Sequence, residues 1–285
     1  MPFRVIKAVA GGVPLYSDLP PGQFSRILVE VTGTSQAGKT AAVADMPGII
    51  LTIKGQQKVN IGFAQMQNYD YRHYGTPQAS AVAGGAFQFD AFYYCKPPND
   101  WVDKASKLNI LNVSPGDITN IQLSAGGLGN AVNYAGATVS VYVEDAAGVQ
   151  TSITNLISKT QAFSGNSDQQ TLVITDNSFT EFEFDSVSAL QNVQLILAGK
   201  TVLNSPATTI LAESNEAPGM KTAQTFAFLD VNHAKSYSQL PMGAAQFLMN
   251  STATSGAFTQ AMYYVKLELT PQDAAISAAV ATARR

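Results

Sequence analysis

Two stretches of the chain, 144 positions apart, carry one apolar pattern. Laying "VADMPGIILTIKGQQKV" (43–59) over "VSALQNVQLILAGKTVL" (187–203) sets Val43 on Val187, Met46 on Leu190, Ile49 on Val193, Leu51 on Leu195 and Ile53 on Leu197. Gly55 then falls on Gly199, and the same offset brings Gly75 onto Gly219. Further on, "FQFDAFYY" (87–94) faces "TFAFLDV" (225–231) and "ATVSVYVED" (137–145) faces "AMYYVKLEL" (261–269) at smaller offsets. Self-similarity in a fixed order is the mark of a supersecondary unit built twice. The drift in register is what loops of unequal length produce.

The units are β in character. "FSRILVEV" (24–31), "GIILTIKG" (48–55), "FQFDAFYYC" (87–95), "ITNIQLSA" (118–125) and "ATVSVYVED" (137–145) read as strands in the first half. "QTLVIT" (170–175), "FTEFEFDSV" (179–187), "NVQLILAG" (192–199), "QTFAFLDV" (224–231), "AAQFLMN" (244–250) and "AMYYVKLEL" (261–269) do so in the second. Side chains two apart share a face of a strand, and β-branched and aromatic residues suit the pleat. Turns such as "DMPG", "SPGD" and "DNS" separate them.

Helical signals are few. "NDWVDKASK" (99–107) predicts a short helix after the "KPP" breaker. "LTPQDAAISAAVATARR" predicts a terminal one, with Thr270 as cap, Pro271 in the first turn, and Arg284 and Arg285 at the negative end. The expected fold is all-β: two tandem eight-stranded sandwiches with a few short helices and a C-terminal helix. The expected organisation is a first sandwich over 1–150 with an N-terminal arm, a linker over 151–169 that is partly helical, a second sandwich over 170–270, and a helical tail over 271–285.

One stretch points to a different chemistry. "GTSQAGKT" (33–40) matches the phosphate-loop pattern at Gly33, Gly38, Lys39 and Thr40. That loop works only when a strand precedes it and a helix N-terminus receives the phosphates after it. Here "RILVEVTG" supplies the strand, but only "AAVADM" stands between Thr40 and the Pro47-Gly48 breaker. Asp145 and Asp230 follow apolar strands, as acids do in many β proteins. The repeat offers another account: Phe24 to Gly55 spans 31 positions and Phe179 to Gly199 spans 20, and "GTSQAGKT" lies in the surplus. It then reads as a polar loop on which no core position depends.

A carbohydrate-binding or carbohydrate-cleaving sandwich is the other alternative, since this architecture hosts many functions. Cleavage needs two carboxylates flanking the sugar bond, and the candidates are Asp70, Asp90, Glu181, Glu183, Asp185, Glu213 and Glu216. "EFEFD" places its three acids on one side of a strand, which reads as a solvated face. Trp101, the single tryptophan, is sparse for sugar stacking.

Only His73 and His233 offer imidazole chemistry, and "YDYRHYG" around His73 reads as a loop or contact surface. Cys95 is the single cysteine; it sits in an apolar run and reads as a buried thiol. No Cys/His spacing suits a metal, and no cofactor is expected. A net charge of −3 argues against a surface built to grip nucleic acid. No stretch has the roughly 18 uninterrupted apolar residues of a membrane span, and "MPFRVIKAVAGG" is too interrupted for a secretory signal, so the chain is expected to be soluble as synthesised. Charged residues are 13% of the chain against about 25% in ordinary domains, which suits a surface that is largely neutral-polar or covered by neighbours.

The "LPPGQFSRILVEV" step (19–31), followed by "IILTIKGQQKVNIGFAQM" (49–66) and a second copy in the other half, resembles the double jelly-roll major capsid proteins of tailless icosahedral viruses. Those of corticovirus-like and tectivirus-like bacterial viruses with an internal membrane are notable among the proteins it resembles. The resemblance implies a structural protein of the virion with no catalytic site, soluble in the host cytoplasm before assembly. It would self-associate as pseudo-hexameric trimers to build an icosahedral shell. Its implied partners are copies of itself, other capsid or vertex proteins and an internal viral membrane, without specific nucleic-acid binding. By the same resemblance Arg4, Lys7, Arg284 and Arg285 would meet acidic headgroups or neighbouring subunits.

Overall fold

The computed structural model describes residues 3–75, 81–96, 109–123, 132, 136–174, 181–197, 199–210, 227–230 and 245–269. The chain divides into two compact units. The first takes the chain up to Asn155 and resumes at Leu267; the second spans Leu156–Lys266.

In the first unit the elements run β1 (Phe3–Ala10), β2 (Tyr16–Asp18), β3 (Gly22–Thr34), β4 (Ile49–Ile53), β5 (Gln56–Ile61), helix α1 (Phe63–Tyr74), β6 (Ala86–Tyr94), β7 (Leu111–Val113), β8 (Asn120–Leu123) and β9 (Thr138–Asp145). One sheet has the order β1-β9-β3-β6, with β7 also on β3, and the other the order β5-β4-β8-β2. The expected alternation holds. Ile27, Val29 and Val31 of β3, Phe87, Phe89, Ala91 and Tyr93 of β6, and Val139, Val141 and Val143 of β9 are all buried. Ile49, Leu51 and Ile53 of β4, Val59 and Ile61 of β5, and Ile121 of β8 are buried as well.

The second unit continues with β10 (Ser152–Phe163), which the boundary at Asn155 divides, then β11 (Gln169–Ile174), β12 (Glu181–Phe184), β13 (Leu190–Leu197), β14 (Lys200–Pro206), β15 (Ala227–Asp230), β16 (Ala245–Ser251) and β17 (Phe258–Leu269). Its sheets have the orders β10-β17-β12-β15 and β11-β16-β13-β14. Phe182, Phe184, Val193, Leu195, Phe247, Met249, Met262 and Tyr264 form its core.

Numbered by position within each unit, both have one pairing scheme: first-eighth-third-sixth in one sheet, second-seventh-fourth-fifth in the other, with β7 as an extra in the first unit. That is the jelly-roll order, realised twice. The matches found in the sequence link equivalent strands: β4 with β13, β5 with β14, β6 with β15 and β9 with β17. The aligned glycines share a reason. Lys54 and Gly55 join β4 to β5 with φ of 50° and 76°, and Gly199, φ 76°, lies between β13 and β14. Two-residue hairpins whose twist matches the strands need positive φ, which glycine adopts without strain.

Three expectations differ from the structure. Where an N-terminal arm is expected, Phe3–Ala10 is strand β1, paired along its length with β9. The segment read as a partly helical linker carries β10, 12 residues of strand. "YDYRHYG" is the end of helix α1. The helices expected at 99–107 and 271–285 lie outside the described residues.

Candidate functional site

The phosphate-loop motif is placed where it cannot work as one. Gly33 and Thr34 are the last residues of β3, and a Cβ on Gly33 would lie 3.0 Å from Phe87 Cζ and 3.2 Å from Ala137 Cβ. Gly38 turns the chain at φ 72°. After Thr40 comes only a three-residue 3-10 turn, Val43–Asp45, too short to present a helix N-terminus to phosphate. The loop is nevertheless tied into the fold. Ser35 and Ala41 are buried, the Ala41 N–H donates to Ser35 Oγ (3.0 Å), Ser35 N–H donates to Gly85 C=O (2.9 Å), and Gly84 N–H to Lys39 C=O (3.1 Å). Core positions do depend on it, contrary to the sequence reading.

Of the described candidate acids, Asp70 is the most deeply placed, fully buried on α1. Helix α1 is fixed at its start by the Gly62 N–H donating to Gln65 Oε1 (3.0 Å), and at its end by Gly75 in the left-handed conformation, φ 67°. The helix covers the free edge of β6. Cys95 N–H donates to Ser25 C=O, so backbone groups of odd-numbered residues here point to β3 and those of even-numbered residues point away. The outward Phe92 N–H donates to Asp70 Oδ2 (2.6 Å), and Gln67 Nε2 donates to the outward Asp90 C=O (3.0 Å). Tyr74 adds a hydroxyl bond to Lys96 C=O (2.7 Å) and a ring stack on Tyr94 at 3.8 Å. Burial pushes the Asp70 carboxyl well above its ordinary range, with the Phe92 N–H opposing. His73 is buried in the last turn, its ring 4.6 Å from that of Tyr69.

Asp90 stands directly opposite Glu30 across β3 and β6. Two like charges there would repel, but Gln88 Nε2 donates to both carboxylates and Tyr142 Oη to Glu30 (2.9 Å). Burial, with the Glu30 charge adding to it and the Gln88 bond opposing, raises the Asp90 carboxyl.

Glu183 corrects the reading of "EFEFD" as a solvated face. It is 1% exposed and accepts a hydrogen bond from Tyr263 Oη (2.6 Å), its direct partner across β12 and β17. Asp70 and Asp90 lie in the first unit, and Glu183 and Asp185 in the second. The side chains of Glu181, Glu213 and Glu216, and residues Trp101 and His233, lie outside the described residues.

A cleft of about 270 Å³ opens on the first unit, lined by Ser25, Arg26, Tyr94, Lys96, Asn109 and Glu144. Two of its three charges are turned on one another. Arg26 meets Glu144 through two bonds, 2.7 and 2.9 Å, Ser25 Oγ donates to the same carboxylate, and the guanidinium lies 4.9 Å from the centre of the Phe3 ring. The Arg26 bond is the chief reason the Glu144 carboxyl falls to about 2. The bidentate geometry is that of a structural ion pair. Cys95 is buried nearby, and burial pushes its thiol up to about 12, the environment of an inert cysteine. Among the described residues no group of three or more His, Cys, Asp or Glu could hold a metal, and no helix is long and apolar enough to cross a membrane.

The basic positions fare differently from one another. Arg4 is held by Asp145 of the neighbouring strand, Nε and Nη2 donating at 3.2 and 3.0 Å. Lys7 is exposed on the same strand. Arg284 and Arg285 lie outside the described residues.

No protein-family model matches the chain, and no curated protein matches it in sequence. Solved structures do. The major capsid protein P2 from bacteriophage PM2 superposes with a TM-score of 0.68 at 11% identity, over 93% of this chain and 95% of that one. The Sulfolobus turreted icosahedral virus structure gives 0.64 at 12% identity, over 98% and 94%. The PBCV-1 capsid gives 0.62 at 12% identity, over 93% and 92%. With both units present and nearly the full length of each chain aligned, this chain has the double jelly-roll fold of these viral capsid structures.

Proposed function

We propose that the chain is a viral major capsid protein, a structural subunit that works by associating with copies of itself. One observation carries this reading: two jelly rolls of identical strand order in a single chain, aligned over more than nine-tenths of its length with capsid structures. The finer reading is a trimer in a bacterial virus. Three chains with two similar units each offer six comparable positions around a three-fold axis, and closed cyclic symmetry is the usual way such subunits assemble. The low charge of the chain supports it, since an exterior that becomes interface is depleted of charge at its core.

In such a shell Lys7, exposed on β1, and the terminal Arg284 and Arg285 are the candidates for contact with neighbours or with an underlying membrane. Arg4 would do so together with Asp145, as a neutralised pair. The two sandwiches expected from the sequence would then supply those six positions, with β10, expected in the linker, as the first strand of the second. Sedimentation velocity on purified protein tests the reading. A species of about 90 kDa, three chains of 30.1 kDa, is expected. A strict monomer across the accessible concentration range would refute it.

A further inference from the structure

Edge strands expose N–H and C=O groups to any passing strand, and natural sheets protect them with charge, proline, bulges, brevity or a covering helix. In the first unit the edges at β1, β6, β2 and β7 are protected. Strand β1 carries Arg4 and Lys7 and a bulge between Val5 and Lys7, α1 covers β6, and β2 and β7 have three residues each. In the second unit β15 has four residues. Strand β14 begins at Lys200 and ends at Pro206, and its ladder with β13 shifts register between Leu195 and Ile196.

Among the described residues strand β11 has none of these protections. Its sequence, Gln169 to Ile174, holds no charge and no proline, and its ladder with β16 is unbroken from Gln169 opposite Asn250 to Ile174 opposite Ala245. Ser251 N–H donates to Asp168 C=O, so the even-numbered residues face β16 and the backbone groups of Gln169, Thr171 and Val173 point off the edge. Among the described residues none bonds the outward groups of Thr171 or Val173. Val173 is 48% exposed.

We propose that β11 is a self-pairing edge, to which β11 of a second copy adds antiparallel across a two-fold axis. The uncharged sequence selects that occupant. A strand laid against its own copy sets each charge near its duplicate, and like charges opposed across a ladder destabilise it; β11 has none to oppose. With the axis at Thr171, outward groups meet outward groups: Thr171 pairs with Thr171 of the copy and Gln169 with Val173. Asp168 then stands opposite Ile174 rather than another acid. The interface is isologous, as a two-fold contact must be. The inference rests on the self-association reading above and assigns it a surface.

Thr171→Cys tests it directly. Hydrogen-bonded partners in an antiparallel ladder have Cα atoms about 5.5 Å apart, within the span of a disulfide. Cys95 is buried, so the introduced thiol is the reactive one. Mild oxidation is expected to convert most of the assembled variant to a covalent dimer, while Ser188→Cys, at an exposed turn of the same unit, gives little. Val173→Lys is expected to weaken association between capsomers at least tenfold by sedimentation, with trimers and melting temperature unchanged. If the wild type assembles but Thr171→Cys does not cross-link, or Val173→Lys assembles like the wild type, the β11 assignment is wrong and the shell reading stands. A wild type that remains monomeric overturns both.

Discussion

Replacing Glu144 with Gln tests whether the Arg26 pair stabilises the first unit. The carboxyl is displaced from 4.5 to about 2, chiefly by the Arg26 bond. At about 1.4 kcal/mol for each tenfold change in proton affinity, the full displacement corresponds to about 3 kcal/mol. Water reaches the pair, since the Arg26 side chain is 31% exposed and that of Glu144 14%. Screening and side-chain entropy lower the expected contribution to about 1–2 kcal/mol. A lowered carboxyl contributes in full above pH 4.5, and the contribution is lost as pH falls toward 2. Thermal unfolding from pH 2 to 8 should therefore show the variant melting roughly 2–8 °C lower than wild type at neutral pH, from the usual dependence of melting temperature on stability. The two curves should converge near pH 2. Parallel curves through that window, or equal melting at pH 7, would refute the argument, because Gln keeps the shape and removes only the charge.

The raised Asp70 carboxyl has the opposite sign: its contribution is greatest at low pH and is lost as pH climbs from 3.8 toward the higher folded value. Asp70→Asn should flatten that part of the stability profile, while Asp70→Ala should cost about 1–3 kcal/mol and speed hydrogen exchange at the Phe92 amide, now without its acceptor. Gly33→Ala should destabilise by about 1–3 kcal/mol because the added Cβ meets Phe87 and Ala137. Lys39→Ala should leave titrations with Mg²⁺-ATP as featureless as the wild type, and saturable binding abolished by that change would restore the phosphate-loop reading. Cys95 should react with a thiol reagent only as the chain unfolds; fast labelling of folded protein would contradict its burial.

What was legible in the sequence was whatever the apolar alternation marks. The pairs β4 with β13 and β5 with β14 showed because Ile49, Leu51 and Ile53 match Val193, Leu195 and Leu197 ahead of an identically placed glycine. Helix α1 was illegible because it buries Gln65, Gln67, Asn68, Asp70, Arg72 and His73 beside Phe63, Met66 and Tyr69, so no apolar stripe repeats along it. The left-handed Gly75 after two basic residues was the available signal. Strand β10 hid for a related reason: Ser152, Thr154 and Asn155 are buried there, where alternation would call for Val or Ile. Glu183 failed the period-two rule in the same way, since its strand is covered on both faces and a tyrosine hydroxyl takes the place of water.

The first unit is closed by residues that are synthesised only after the whole of the second. Lys58 of β5 is buried, with Gln56 Oε1 at 2.7 Å and Glu268 Oε2 at 2.6 Å, and Asn155 Nδ2 also donates to Glu268. Domains emerging from the ribosome generally fold in order, the N-terminal one first. Here Lys58 waits 210 residues for its counter-ion. Until the end of β17 is made, the nascent first jelly roll holds a cation without its acid, so its completion waits on synthesis of the whole second unit.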